Sequence, residues 1–326
     1  MTRFSAALGR MLAAGALVAL TGQAVAQQNY PTKPVRLLVP YAPGGSSSIS
    51  ARLIAQKLSE NWEQQVIVDN RPGGNTVIAT DALAKSAPDG YTILFLDNSH
   101  TILPHLMRLP YDPIKDFATV ATVHSQAFAI VLNTAVPAST LPEFLALAKS
   151  KPGSINYASP GAGGIQHLAG ELFSGMAGIK MQHVPYKGSG QVIPDLISGQ
   201  VQLSFQSPAV ALPHIKSGRL KAIAVSGAER VPLLPQVPTL AESGLAGYDV
   251  QAWFGIVAPA GTPRDIIDKM SADVARNLVL PELKEKMMGY GMTPFVSSPE
   301  QFAALIKADT AKFAKVIKAA NIKFEN

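Results

Sequence analysis

Apolar positions recur along this chain with two alternating periods. Short aliphatic runs, VRLLVP (35–40), QQVIVD (64–69) and TILFLD (92–97), are bounded by Pro, Asp or Gly and predict buried strands. Between the first two, Ile49, Leu53, Ile54 and Leu58 recur at helical spacing and predict a helix near 47–60, with another near 77–86. The alternation continues with strands AFAIVLN (127–133), SINYAS (154–159), MQHVPY (181–186), VQLSF (201–205), LKAIAVS (220–226) and WFGIVAP (253–259). Helices are predicted near 141–149, 165–176, 190–198, 208–217, 263–278, 281–289 and 299–319. No element is predicted between TILFLD and AFAIVLN. Such βα alternation predicts an α/β protein with parallel sheets covered by helices.

Two corners in this pattern resemble each other. VRLLVPYAPGGSSSISARLIAQKL (35–58) reads strand, Pro-Gly-Gly corner, three serines, helix. INYASPGAGGIQHLAGELF (155–173) repeats the order, with Ile165, Leu168, Leu172 and Phe173 on one helical face. Two such corners predict two βα lobes, each presenting a helix N-terminus. A helix N-terminus carries unpaired N–H groups and partial positive charge, glycine lets a ligand approach the backbone, and serine adds a donor. The pair therefore reads as two cradles for carboxylate or phosphate. The plainer reading, in which Gly-Gly makes a turn and serine caps a helix, suits one corner better than it suits a matched pair.

Composition narrows the chemistry. The chain has 326 residues, 47% of them hydrophobic and 15% charged, enough to bury one large core or two ordinary ones. Residues 1–26 read as a cleaved signal peptide: Arg3 and Arg10 precede the apolar MLAAGALVALT (11–21), and Ala24-Val25-Ala26 fits the small-x-small cleavage rule. That run is too short for a permanent membrane span. No cysteine follows it to carry a lipid anchor. The expected location is the bacterial periplasm, with cleavage near Ala26. The formal charge of +6 falls to about +4 without Arg3 and Arg10. The basic residues are scattered with no aromatic-interleaved stripe, which argues against nucleic acid as a partner. The absence of cysteine excludes thiol catalysis and thiolate metal sites.

Catalytic patterns are missing. There is no G-x-S-x-G elbow, H-E-x-x-H or Walker A motif, and Gly161-Ala162-Gly163-Gly164 has Gln166 where a dinucleotide fingerprint needs its last glycine. The six histidines (100, 105, 124, 167, 183 and 214) show no ligand spacing, and His167 and His183 read as hydrogen-bonded structural residues. Gln200 to Gln206 supply no carboxylate. Trp253 reads as core or hinge packing, or else as lining of the cleft. Neither a cofactor nor a metal is expected, nor an enzyme.

The ordered segments YPTKPVRLLVPYAPGG, DNRPGG, APDGYTIL, YDPIKDF, NYASPGAGGIQHLAGELF, HVPYKGSG, ALPHIKSGRLKAIAV, VPTLAESG and WFGIVAPAGTP resemble the Bug-type substrate-binding proteins of tripartite tricarboxylate transporters, across nearly all of residues 30–326. The resemblance implies a type II periplasmic binding fold: two α/β lobes, crossover strands between them and a carboxylate ligand in the cleft. It also implies that the chain returns to its first lobe, so that lobe one is 30–126 plus 250–326 and lobe two is 127–249. Closure would be a hinge motion at the crossings near AFAIVLN and before WFGIVAP. The ligand class it implies is a dicarboxylate, an amino acid or an aromatic acid, handed by a monomeric receptor without a membrane anchor to permease subunits. A receptor that signals to a membrane sensor kinase, and an enzyme built on the same closing trap, are the rival readings; the latter would need a nucleophile or carboxylate pair.

Carried over by motif, the binding shell is Tyr41, Gly44, Gly45, Ser46, Ser47 and Ser48 in lobe one, with Ser99 after the third strand. Lobe two would contribute Ser159, Gly161, Ala162, Gly163, Gly164 and Gln166, together with Tyr186, Lys187 and Gln206. Lys187 also reads as a solvated turn residue. Three positions depart from the family pattern: Ser48 and Gln206-Ser207 stand where aspartates are usual, and Asn75-Thr76 stand where a second Gly-Gly is usual. The expected consequence is a less negative cleft.

Overall fold

The computed structural model describes residues 30–186, 189–319 and 322. Eleven strands and ten α-helices lie among them. The strands are β1 (Val35–Val39), β2 (Val66–Asn70), β3 (Thr92–Asp97), β4 (Phe117–Ala127), β5 (Ala129–Asn133), β6 (Ile155–Ser159), β7 (Met181–Pro185), β8 (Leu203–Gln206), β9 (Leu220–Val225), β10 (Gln251–Pro259) and β11 (Thr293–Pro294). The helices are α1 (Ser46–Trp62), α2 (Val77–Ala84), α3 (Ser99–Ile102), α4 (Leu141–Ser150), α5 (Ile165–Ala177), α6 (Ser189–Ser198), α7 (Pro208–Lys216), α8 (Arg264–Leu278), α9 (Pro281–Gly289) and α10 (Pro299–Ala319).

Two sheets form, in the orders β11-β4-β10-β3-β1-β2 and β7-β6-β8-β5-β9. Each contains a parallel triplet centred on the strand that enters a glycine corner. In the first, Leu37 of β1 pairs with Val68 of β2 and Ile93 of β3. In the second, Tyr157 of β6 pairs with His183 of β7 and Leu203 of β8. The inner strands β1 and β3 are largely buried because both of their faces are covered, whereas the edge strands β2 and β7 are only partly buried. Leu37 and Val39 point into one core while Leu38 points into another, which also holds Leu83, Leu94 and Phe302.

The expectation of parallel sheets is corrected: both sheets are mixed. β10 runs antiparallel to β3 and β4, and β5 runs antiparallel to β8 and β9. The cause is the chain path. A strand arriving directly from the other sheet has no crossover helix to reverse its direction, so it docks antiparallel.

The chain leaves the first sheet at Phe128, the single residue between β4 and β5, and returns to it over 226–250. The segment AFAIVLN is therefore not one strand; Ala127 closes β4 and Ala129 opens β5. Ser226 ties the two passages together. It is fully buried; its hydroxyl accepts from Phe128 N–H at 2.9 Å and donates to Val250 C=O at 2.6 Å, while its own N–H and C=O bond Phe128 and Val250. Ser226→Ala strips both side-chain bonds from buried backbone groups and is expected to destabilise the protein by about 2–4 kcal/mol. Urea denaturation measures this; a loss below about 0.5 kcal/mol would show that the bonds are replaceable.

Candidate ligand-binding cleft

The two glycine corners share one geometry. In the first, Gly44 has φ +93° and Gly45 is the N-cap of α1 at φ −82°, ψ 167°. In the second, Gly163 has φ +75° and Gly164 is the N-cap of α5 at φ −78°, ψ 166°. The positive φ explains why glycine leads each pair, since side-chain-bearing residues rarely adopt it. Neither cap is closed by a side chain, and neither helix has an acidic residue in its first turn. The first helical bond runs from Ile49 N–H to Gly45 C=O in one corner and from Leu168 N–H to Gly164 C=O in the other. The amides of Ser46, Ser47 and Ser48, and of Ile165, Gln166 and His167, thus precede the helical ladder and carry the positive end of each helix dipole.

Both corners sit at the carboxyl ends of parallel strands, where α/β sheets bind ligands. Beside the first corner, the Tyr41 hydroxyl donates to Asp97 Oδ2 at 2.5 Å and lies 3.2 Å from Ser99 Oγ, while Ser99 N–H donates to Asp97 Oδ1 at 2.9 Å. Burial raises the pKa of both Tyr41 and Asp97. Ser47 and Ser48 are buried, and the Asn70 carboxamide donates to Ser48 Oγ at 3.2 Å and to Tyr41 C=O at 2.8 Å. Arg52 donates to Asn70 Oδ1 at 3.0 Å and Arg71 to Asp69 at 2.9 Å, so both nearby guanidinium groups already have partners.

The second corner rests on two histidines whose rings stack with centroids 3.7 Å apart and planes 9° from parallel. Gly163 N–H donates to His167 Nδ1 at 3.1 Å, so that amide is already engaged. His183 Nε2 lies 2.7 Å from Ser159 Oγ, and the Ser159 hydroxyl donates to Gly161 C=O at 2.9 Å. Both histidines read as hydrogen-bonded residues in the sequence, and the structure gives each a bond to the corner. Tyr186 N–H donates to Ser159 C=O at 2.9 Å and its hydroxyl to Asp195 at 2.6 Å. Gln206 ends β8, buried, with its amide on Ser204 Oγ at 2.8 Å. Ala162 and Gln166 are partly exposed. Lys187 and the signal segment lie outside the described residues. Trp253 is buried, with its ring edge-on to Phe302 and its Nε1–H bonded to Asp309, which makes it core.

Asp97 and Asn70 were not in the sequence-derived shell. Asp97 had a visible signal, as the last residue of TILFLD and hence at a strand's carboxyl end. Asn70 had none beyond its place before the turn. Two open cavities, of about 350 and 340 Å³, lie elsewhere, beside Asp309 and Lys312 and beside Arg230 and Met288. At the glycine corners the uncapped helical amides, with no acidic residue in either first turn, have the chemistry to accept an anion.

Burial pushes five histidines down: His100 and His167 to about 4, His124 and His183 to about 3, the last also through the positive charge His167 would carry, and His214 in the same direction, with the Arg219 charge adding to it. With folded values below the unfolded 6.5, the unfolded chain takes up protons that the folded chain refuses. Stability is therefore full above about pH 6.5 and declines as pH falls from there toward the folded values. Tm measured from pH 7.5 to 5 should drop, and less steeply in His183→Asn; a flat profile would contradict this account.

Among the described residues no group of side chains is arranged to hold a metal ion, and no helix is long and apolar enough to cross a membrane. The protein BugT of Bordetella pertussis is 33% identical over 328 residues, covering 100% of this chain and 99% of that protein. Among solved structures, "R. palustris Rpa4515 with adipate" is similar at 33% identity and a TM-score of 0.85, covering 90% of this chain and 99% of that one. MatC from Rhodopseudomonas palustris with bound malate is similar at 29% identity and a TM-score of 0.79, covering 88% of this chain and 100% of that one. Residues 50–322 match the family described as "Tripartite tricarboxylate transporter family receptor". By this match, and by the two-lobed fold it shares with solved periplasmic binding proteins, the chain belongs to the tripartite tricarboxylate transporter receptor family.

Proposed function

We propose that this chain is a non-enzymatic periplasmic receptor that captures a small organic carboxylate between its two glycine corners and delivers it to permease subunits. The observation that carries the reading is the pair of glycine-capped helix N-termini, each with three amides ahead of the helical ladder and no acidic residue in the first turn. Two relatives bound to dicarboxylates, adipate and malate, support the ligand class. The lobes are 30–126 plus 250–326 and 127–249, and they close by hinging at Phe128 and at the return through Ser226. The binding shell is the sequence-derived set, with Gly163 acting through its backbone shape, since its amide serves His167.

Four or five hydrogen bonds to a charged group at about 1.5–3 kcal/mol each, with roughly 0.3–2 kcal/mol from each of the two helix ends and less about 4 kcal/mol for association, leave a range of roughly 3–15 kcal/mol whose middle is a micromolar to submicromolar Kd. The test is a thermal-shift screen of di- and monocarboxylic, amino and aromatic acids, followed by calorimetry. A ligand at about 100 times its Kd stabilises by roughly 2.7 kcal/mol. Failure of every acid to raise Tm would sink the reading.

A further inference from the structure

The link between β2 and α2 carries four consecutive residues with positive φ: Gly73 (+123°), Gly74 (+55°), Asn75 (+50°) and Thr76 (+78°). Glycine takes such angles freely and asparagine tolerates them, whereas a β-branched residue there is strained. Thr76 is buried, and its carbonyl accepts the Thr80 hydroxyl at 3.0 Å, so packing and this bond hold it in place. Asn75 stands differently. It is exposed, and among the described residues its carboxamide makes no hydrogen bond. Its Oδ1 lies 3.8 Å from where a Cβ on Gly161 would stand, and Tyr186 C=O lies at the same distance. The first sheet's second loop thus projects an unengaged amide against the glycine corner of the second sheet. Strained backbone of this kind collects at ligand clamps.

We infer that Asn75 is a specificity-determining residue of the cleft: its carboxamide N–H donates to the second carboxylate of a short diacid whose first carboxylate sits in a helix cradle, and its bulk limits the length of that diacid. This rests on the carboxylate-receptor reading above. A carboxamide suits the task because it donates to an anion without carrying charge, and because Asn keeps the left-handed conformation the loop requires.

The experiment is calorimetry with malonate, succinate, glutarate and adipate, and with acetate and butyrate, on wild type, Asn75→Asp and Asn75→Gly. Both replacements tolerate positive φ, so both should fold, and Asn75→Gly should melt no lower than wild type. Asn75→Asp replaces the donor with a negative charge. Affinity for the preferred diacid should fall about tenfold to a hundredfold, while the monoacids change far less. Asn75→Gly should lose the same donor and shift the preferred diacid to a longer one. A diacid profile unchanged in both variants overturns this inference and leaves the receptor reading standing. A wild-type protein that binds none of these acids, nor any in the wider screen, overturns both.

Discussion

Gly163→Val is expected to lose ligand binding by a factor of about one hundred or more, the equivalent of two charge-assisted hydrogen bonds. Gly163 has φ +75°, is buried, and gives its N–H to His167 Nδ1 at 3.1 Å. A β-branched residue is strained by roughly 1–3 kcal/mol at that φ. The chain relieves the strain by rotating out of the left-handed region, which breaks the bond to His167 and re-aims the amides of Ile165, Gln166 and His167. The cradle is then lost while the sheets beneath it persist. Ser47→Ala provides the contrast: no hydroxyl caps α1, so affinity should change only several-fold. Calorimetry with the acid identified by screening, beside circular dichroism to confirm folding, measures both. If Gly163→Val bound normally, the amide-cradle reading would be wrong.

Gly255→Val should be the most damaging substitution for stability. Gly255 lies mid-strand in β10, where the pairing register with β4 shifts. A Cβ there would stand 2.9 Å from Ala121 C=O and 2.4 and 2.6 Å from two ring carbons of Phe302. The carbonyl belongs to the neighbouring strand and cannot move without breaking the ladder. Phe302 is fully buried in α10 and meets the Trp253 ring edge-on at 5.3 Å. Overpacking with no direction of escape is expected to destabilise by about 3 kcal/mol or more, with Gly255→Ala smaller and of the same sign. Urea denaturation would show it; a shift under about 1 kcal/mol would mean that the sheet opens more easily than its contacts imply.

Much of this architecture was readable along the chain, for reasons specific to particular segments. TILFLD is apolar at every core position because β3 is covered on both faces, and such a run has few alternatives to a buried strand. The two corners were legible because the positive φ of Gly44 and of Gly163 favours glycine, so that part of the backbone geometry is written directly in residue type. Gly44-Gly45 and Gly163-Gly164 needed no partner from elsewhere in the chain.

Tertiary structure decided the rest. β4, the longest strand, reads FATVATVHSQA, in which Val120 and Val123 follow neither the period of a strand nor a continuous apolar run. It is a strand because β10 pairs along its whole length, a partner more than a hundred residues distant that no local pattern can reveal. The mixed direction of both sheets has the same origin, since it depends on where a crossing chain docks. At the glycine corners, local pattern gave the backbone geometry but not what packs against it. Asp97 facing Tyr41, His183 stacked on His167 and Asn75 set against Gly161 join residues that only the folded chain brings together. Backbone angles are a property of one or two residues and leave a local trace. Contacts between distant side chains leave none, because the energy that selects them exists only once the sheets have formed.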